Sequence, residues 1–166
     1  MTIEVGSRLP DTTFTVMAAD GPKPMTTAEV FSGKKVALFA VPGAYTPTCH
    51  KAHLPGFVQR AGELAAKGID TIACTAVNDI FVLTHWAKDC EADGKVLMLA
   101  DGGAEFARKV GLDIDLASRG FGVRSKRYAM LVEDGIVKVL NVEDAPPQHD
   151  KSSAETLCSM IDRSLG

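Results

Sequence analysis

"KKVALFAVPGAYTPTC", residues 34 to 49, sets six apolar residues in a row, Val36 to Val41, behind two lysines and ahead of a Pro-Gly turn. A run without polar alternation is the pattern of a strand covered on both faces, as at the centre of a parallel sheet. The chain then reaches Cys49 two residues after Pro47, which itself follows Thr46. A cysteine buried only for packing needs no such preparation, and a reactive one does.

Working outward, Thr46 is a suitable N-cap, Pro47 suits a first helical position, and Lys67-Gly68 makes a stop. A helix over 47–67 is expected, kinked at Pro55, whose ring clashes with the carbonyl four residues back. "IDTIACTAV" (69–77) is a second buried strand, after which Asn78-Asp79 caps a helix running from about Ile80 to Cys90. "KVLMLAD" (95–101) is a third strand, ending at Asp101-Gly102-Gly103 before a helix to Val110. Residues 111–125 are irregular. "RYAMLVEDGIVKVLNVE" (127–143) is a hairpin about Asp134-Gly135. The last helix opens on Ser152 to Glu155 as a capping box and carries Ala154, Leu157, Cys158, Ile161 and Leu165 at helical spacing. Near the start, Pro10, the Asp20-Gly21-Pro22 turn and Pro24 cut the chain into a hairpin or short extended pieces.

Alternating strands and helices followed by an antiparallel hairpin and a closing helix specify an α/β fold, a thioredoxin-like three-layer sandwich around a central mixed β-sheet. At 166 residues the chain amounts to a single domain, residues 1–166, able to bury a core without disulfides. The net charge of -3 is spread along the chain, so there is no footprint for nucleic acid or an anionic membrane. No run of about 18 apolar residues occurs, and the N-terminus lacks a basic segment leading into an apolar one, so a cytoplasmic protein is expected. Its four cysteines, Cys49, Cys74, Cys90 and Cys158, form no CxxC pair and are expected as thiols.

With Thr46 as N-cap, Cys49 is the third helical residue. Unpaired backbone N–H groups and the positive end of the helix dipole there favour the thiolate. Pro42 and Pro47 stiffen the loop around the sulfur, and the Thr46 hydroxyl can donate to or accept from whatever the sulfur attacks.

Pro42 to Cys49 fits the P-x-x-x-[T/S]-x-x-C signature of peroxiredoxins, and "HLPGF" (53–57), "VND" (77–79) and "DGIVKVLNVE" (134–143) resemble their type II, or class five, branch. The resemblance covers nearly the whole chain. It implies a thioredoxin-fold enzyme that reduces hydrogen peroxide, organic hydroperoxides and often peroxynitrite with cysteine, using no metal or haem. By position, Cys49 corresponds to the peroxidatic cysteine, Thr46 to the residue that bonds sulfur and peroxide, Pro42 to the shield of the sulfenic acid, and Arg127 to the family's arginine. Arg124 and Lys126 are neighbouring alternatives; strand alternation sets Arg127 opposite Lys126. Gly43, His53 and Phe121 are expected at the substrate pocket. The family also implies a homodimer, with aromatics such as Phe81, Trp86 and Phe121 near the pocket and the dimer contact, or simply in the core.

"DAPPQHDKSS" lacks the resolving cysteine that animal-type members carry there. Cys158 falls on the apolar stripe of the last helix and Cys90 has no evident tie to the site. Cys74 matches a cysteine to which some members assign a resolving role, but it sits in an apolar strand, and a disulfide needs Cα atoms within about 7 Å. A one-cysteine cycle with an external thiol, glutathione with glutaredoxin or thioredoxin, leads over a two-cysteine cycle through Cys74. Three other readings stay open: a metal held by the C-H-x-x-H of Cys49, His50 and His53; a cysteine hydrolase with His53 or His85 as base; and a redox-inactive thioredoxin-like binding module.

Overall fold

The computed structural model describes residues 1–165, the side chains of 164 and 165 excepted, so Leu165 on the expected stripe lies outside the described side chains. In chain order the elements are β1 (Thr13–Ala18), β2 (Gly21–Thr26), α1 (Thr27–Phe31), β3 (Lys35–Ala40), a π-helical turn (Cys49–His53), α2 (Leu54–Gln59), α3 (Ala61–Ala66), β4 (Thr71–Ala76) and α4 (Ile80–Asp89). They continue with β5 (Leu97–Ala100), α5 (Glu105–Lys109), β6 (Asp113–Asp115), a 3₁₀ turn (Ala117–Arg119), β7 (Val123–Ser125), β8 (Tyr128–Glu133), β9 (Ile136–Val142) and α6 (Ala154–Leu165).

The main sheet has seven strands in the order β2-β1-β5-β4-β3-β8-β9, and β6 and β7 form a separate ribbon. β5, β4 and β3 run parallel at its centre, flanked by antiparallel pairings of β1 with β5 and of β8 with β3. The 34–41 stretch explains why. Val36, Leu38 and Ala40 point into one apolar layer with Phe31 of α1 and Phe106 of α5; Ala37, Phe39 and Val41 point into the other, with α2, α3, α4 and α6. Both faces are covered from Val36 onward, so nothing in the strand after Lys35 is polar. This is the thioredoxin-like mixed-sheet α/β fold expected from the sequence. The hairpin closes through Asp134 and Gly135, both at positive φ (48° and 77°), the geometry of a type I′ turn. No helix among the described residues is long and apolar enough to cross a membrane.

Two local expectations are corrected. The helix after Thr46 is not one element running over 47–67 but a π turn, α2 and α3 in succession. Leu54 donates its N–H to the carbonyl of Cys49, five residues back, so a wide turn takes up the proline before it is reached, and the helix breaks at Arg60 (φ −100°, ψ 12°). Ser152 is not the cap of α6. Ser153 accepts from the Thr156 N–H at 3.1 Å, while Ser152 is fully buried and gives both its N–H and its hydroxyl to Glu143. The sequence reading also passed over α1, which carries a complete capping box between Thr26 and Glu29, and the β6–β7 ribbon.

Candidate active site

Cys49 opens the π turn at the C-terminal end of β3, where open α/β sheets gather chemistry. Its sulfur is buried, though not in hydrocarbon: Arg127 Nη2 donates to it at 3.0 Å and the Thr46 hydroxyl lies 2.9 Å away. That hydroxyl also reaches the Gly43 carbonyl at 2.7 Å. It has one proton, so it donates either to Gly43 or to the sulfur, and an ionised sulfur draws it away from Gly43. Thr46 thus spends its side chain on the sulfur and Gly43, while its carbonyl accepts from the His50 N–H at 2.9 Å.

Arg127 sits between β7 and β8 and is only 3 % exposed. Its planar fork makes three directed bonds: Nη2 to Cys49, Nη1 to His53 Nδ1 at 2.9 Å and Nε to the Pro146 carbonyl at 3.0 Å. A guanidinium can only donate and a carbonyl only accept, so His53, which also meets the Ser152 carbonyl at 2.9 Å, must carry its proton on Nε2. The relay extends outward through Ser152 to Glu143, which accepts from Ser152 N–H, Ser152 Oγ and Lys151 N–H. Burial by itself would raise the Glu143 carboxyl, but those bonds outweigh it and hold it low. Arg124, the alternative, donates to the carbonyls of Phe121 (2.9 Å) and Pro42 (3.3 Å) and stacks over the Phe121 ring, so it braces the loop above the sulfur without touching it.

A cavity of about 210 Å³ opens onto this group, lined by Pro42, Thr46, Pro47, Thr48, Leu116, Arg119, Phe121, Arg127, Pro146 and Pro147. Phe121 stands on its wall. Gly43 and His53 are not on its wall: Gly43 lies beneath Arg124, where an added Cβ would come within 2.8 Å of Nη1, and His53 stands behind Arg127, fully buried. Trp86 is core, its N–H donated to His50 Nδ1 at 3.1 Å, whereas Phe81 is exposed.

Sequence reasoning missed three supports. Asn78 accepts the Ala44 N–H at 3.0 Å, which gives "VND" its purpose of anchoring the loop before Cys49. Pro146 and Pro147 offer carbonyls to Arg127 and to the Thr48 hydroxyl (3.1 Å), strapping both sides of the sulfur. The Pro-Pro pair was the available signal. Cys90, read as unconnected, lies 3.5 Å from His50 Nδ1.

The other thiols are differently housed. Cys74 and Cys158 are buried and free, Cys74 in β4 opposite Phe39 of β3. Burial, reinforced by the Cys49 sulfur, pushes the Cys74 thiol well up. Burial also raises Cys158 and Cys90. His53 is spoken for on both nitrogens and has no free base for a hydrolase. No group of three or more His, Cys, Asp or Glu arranged to hold a metal ion occurs among the described residues.

Burial, then the Arg127 charge and His149, hold His53 well below the ordinary imidazole range, and burial and Arg127 lower His149 against the opposing pull of Glu143 and Asp150. An imidazole depressed in the fold binds fewer protons there than in the unfolded chain once the pH drops below about 6.5. The stability it contributes is present above that pH and is lost as the pH falls toward the folded value, at up to about 1.4 kcal/mol per pH unit per proton. Thermal melts from pH 7 down to pH 5 are expected to show a falling midpoint, shallower in His149→Gln; a flat profile contradicts a neutral buried His53.

A thioredoxin-fold sheet that ends in a cysteine clasped by threonine and arginine defines a thiol oxidoreductase, and the comparisons with known proteins narrow the class. The Redoxin family model matches residues 4–158. Peroxiredoxin-2E-2, chloroplastic, of Oryza sativa subsp. japonica is 50% identical over 161 residues, covering 94% of this chain and 72% of that protein. Peroxiredoxin-2E, chloroplastic, of Arabidopsis thaliana is 48% identical over 159 residues, covering 93% and 68%. The structure of reduced Prx3 in complex with H₂O₂ from Vibrio vulnificus superposes with a TM-score of 0.92 at 46% identity, over 96% of this chain and 99% of that one. The chain belongs to the peroxiredoxin family, and its activity is that of a thiol-dependent peroxidase of antioxidant function. The cytoplasmic expectation is overturned: both plant relatives are named chloroplastic. Charge and the lack of long apolar runs bear on membrane insertion, not on which aqueous compartment receives a protein.

Proposed function

We propose that Cys49 is the peroxidatic cysteine of a type II, or class five, peroxiredoxin contained in residues 1–166, acting on hydrogen peroxide and organic hydroperoxides. The observation that carries this is the pair of contacts on one sulfur, Arg127 at 3.0 Å and Thr46 at 2.9 Å. A guanidinium that keeps its proton stabilises the thiolate and the charge developing on the leaving oxygen. The thiolate attacks the terminal peroxide oxygen: an S–O bond forms, the O–O bond breaks, the leaving alkoxide or hydroxide takes up a proton, and sulfur is oxidised to the sulfenic acid. Pro42 walls the sulfenic acid off from further oxidation.

Reduction follows a one-cysteine cycle. An external thiol, from glutathione with glutaredoxin or from thioredoxin, displaces water from the sulfenic acid to give a mixed disulfide, and a second thiol releases Cys49. The burial of Cys74 in β4 supports this over the two-cysteine alternative. Because the Cys49 sulfur is itself buried, the first turn must open for the reductant, and the π turn is where it would do so. The enzyme acts as a homodimer, a reading supported by the exposed aromatics Phe81, Phe121 and Tyr45; light scattering at micromolar concentration checks it.

The test is a pair of variants, Cys74→Ser and Cys158→Ser, assayed with glutaredoxin and with thioredoxin. Both are expected to keep at least half the wild-type turnover with the preferred reductant. A folded but inactive Cys74→Ser enzyme rejects the one-cysteine cycle.

A further inference from the structure

The cavity in front of Thr46 and Arg127 is larger than the smallest peroxide needs. It measures about 210 Å³, whereas two oxygen atoms need no more room than two waters, about 60 Å³. Its walls are apolar: Pro42, Pro47, Leu116, Phe121, Pro146 and Pro147. Polar groups occur at the floor, where Thr46, Thr48 and Arg127 stand before the sulfur, and at Arg119.

Arg119 differs from the other cations here. Arg127 is held by three bonds and Arg124 by two carbonyls and an aromatic face. The exposed Arg119 side chain has no hydrogen bond or ion pair among the described residues. Asp115, the carboxylate on the neighbouring strand, accepts the Ala117 N–H at 2.8 Å and forms no ion pair among the described residues. The 3₁₀ turn Ala117–Arg119, closed by Gly120 at φ 79°, sets Arg119 on the cavity wall. An apolar cavity with the two bonding partners of the sulfur, Thr46 and Arg127, at its floor and an unpaired cation on its wall matches one kind of molecule.

We propose, resting on the peroxidase reading of Cys49, that the cavity selects hydroperoxides whose apolar chain ends in a carboxylate, and that Arg119 is the residue that reads the charge. The chain replaces water along the proline walls, worth about fourfold in kcat/KM for each methylene fully buried. The carboxylate pairs with Arg119 at the solvent edge, where an ion pair contributes up to about fivefold. The peroxide is reduced to the corresponding alcohol by the step given above.

The experiment compares hydrogen peroxide, linoleic acid hydroperoxide and the methyl ester of that hydroperoxide on the full chain and on Arg119→Gln and Arg119→Lys. In about 0.01 M salt the acid is expected to exceed the ester three- to fivefold in kcat/KM, through KM. Arg119→Gln abolishes that preference and leaves hydrogen peroxide and the ester unchanged; Arg119→Lys keeps most of it. Near 1 M salt, where the screening length shrinks to roughly 3 Å, the preference vanishes in every form. Equal rates for acid and ester in the wild type, or an equal loss for both in Arg119→Gln, overturns the proposal while leaving the peroxidase reading intact. A chain inactive on hydrogen peroxide as well overturns the reading of Cys49 itself.

Discussion

Cys49→Ser is expected to reduce peroxide consumption to the uncatalysed background with either reductant while the fold survives. Serine retains the shape, so the Arg127 and Thr46 bonds made at 3.0 and 2.9 Å in the wild type can be remade to a hydroxyl. What it lacks is a polarisable anion: a hydroxyl is hardly ionised at neutral pH even beside a guanidinium, and its oxygen has no counterpart of the sulfenic acid. The stability cost should stay within about 1 kcal/mol, as for a near-isosteric buried change. Circular dichroism and a peroxide-consumption assay on the same sample decide the matter. Residual turnover would move the chemistry to Cys74, Cys90 or Cys158, whose thiols burial pushes away from the reactive form.

Arg127→Gln is expected to lower kcat/KM by roughly a hundred- to a thousandfold, the size of effect seen when one preorganised donor to a developing charge is removed. The loss has two parts. The charge beside the sulfur disappears, which slows alkylation of Cys49 by iodoacetamide at pH 7 as well as the reaction with peroxide. The fork that ties Cys49, His53 and Pro146 together also disappears, leaving the buried His53 Nδ1 without its donor at a stability cost of about 1–3 kcal/mol. Arg127→Lys separates them: it keeps the charge but cannot make three divergent bonds, so it should recover about tenfold of the activity and little of the stability. Arg127→Gln activity within threefold of the wild type would show that the cation is not needed.

The apolar run at Val36 to Val41 was sufficient to place a doubly covered central strand, because covering both faces of a sheet leaves a signature that is continuous along the chain. Helix α4 was legible from Asp79, whose carboxylate does accept the Val82 N–H at 2.9 Å, and the hairpin from Asp134-Gly135. The break between α2 and α3 was not legible. The pull of Pro55 is local, but how the chain relieves it depends on the layer into which Leu54 and Phe57 pack. Ser152 misled for a related reason: its sequence context is that of a cap, and Glu143, nine residues earlier, claims it instead.

The sequence by itself determined the fold class, the place of Cys49 in the first turn after β3 and the short-range reach of Thr46, since each rests on interactions between residues a few positions apart. Only the tertiary structure decided the rest. Arg127 reaches Cys49 from 78 residues away and is aimed by His53, 74 residues distant, by Pro146 and, through Ser152, by Glu143. Those partners share no spacing that a linear pattern can carry. They meet because β3 and β8 pair and the loop after β9 folds back over the π turn, and it is that closure that sets a cation against the sulfur and leaves a prolyl-walled cavity in front of it.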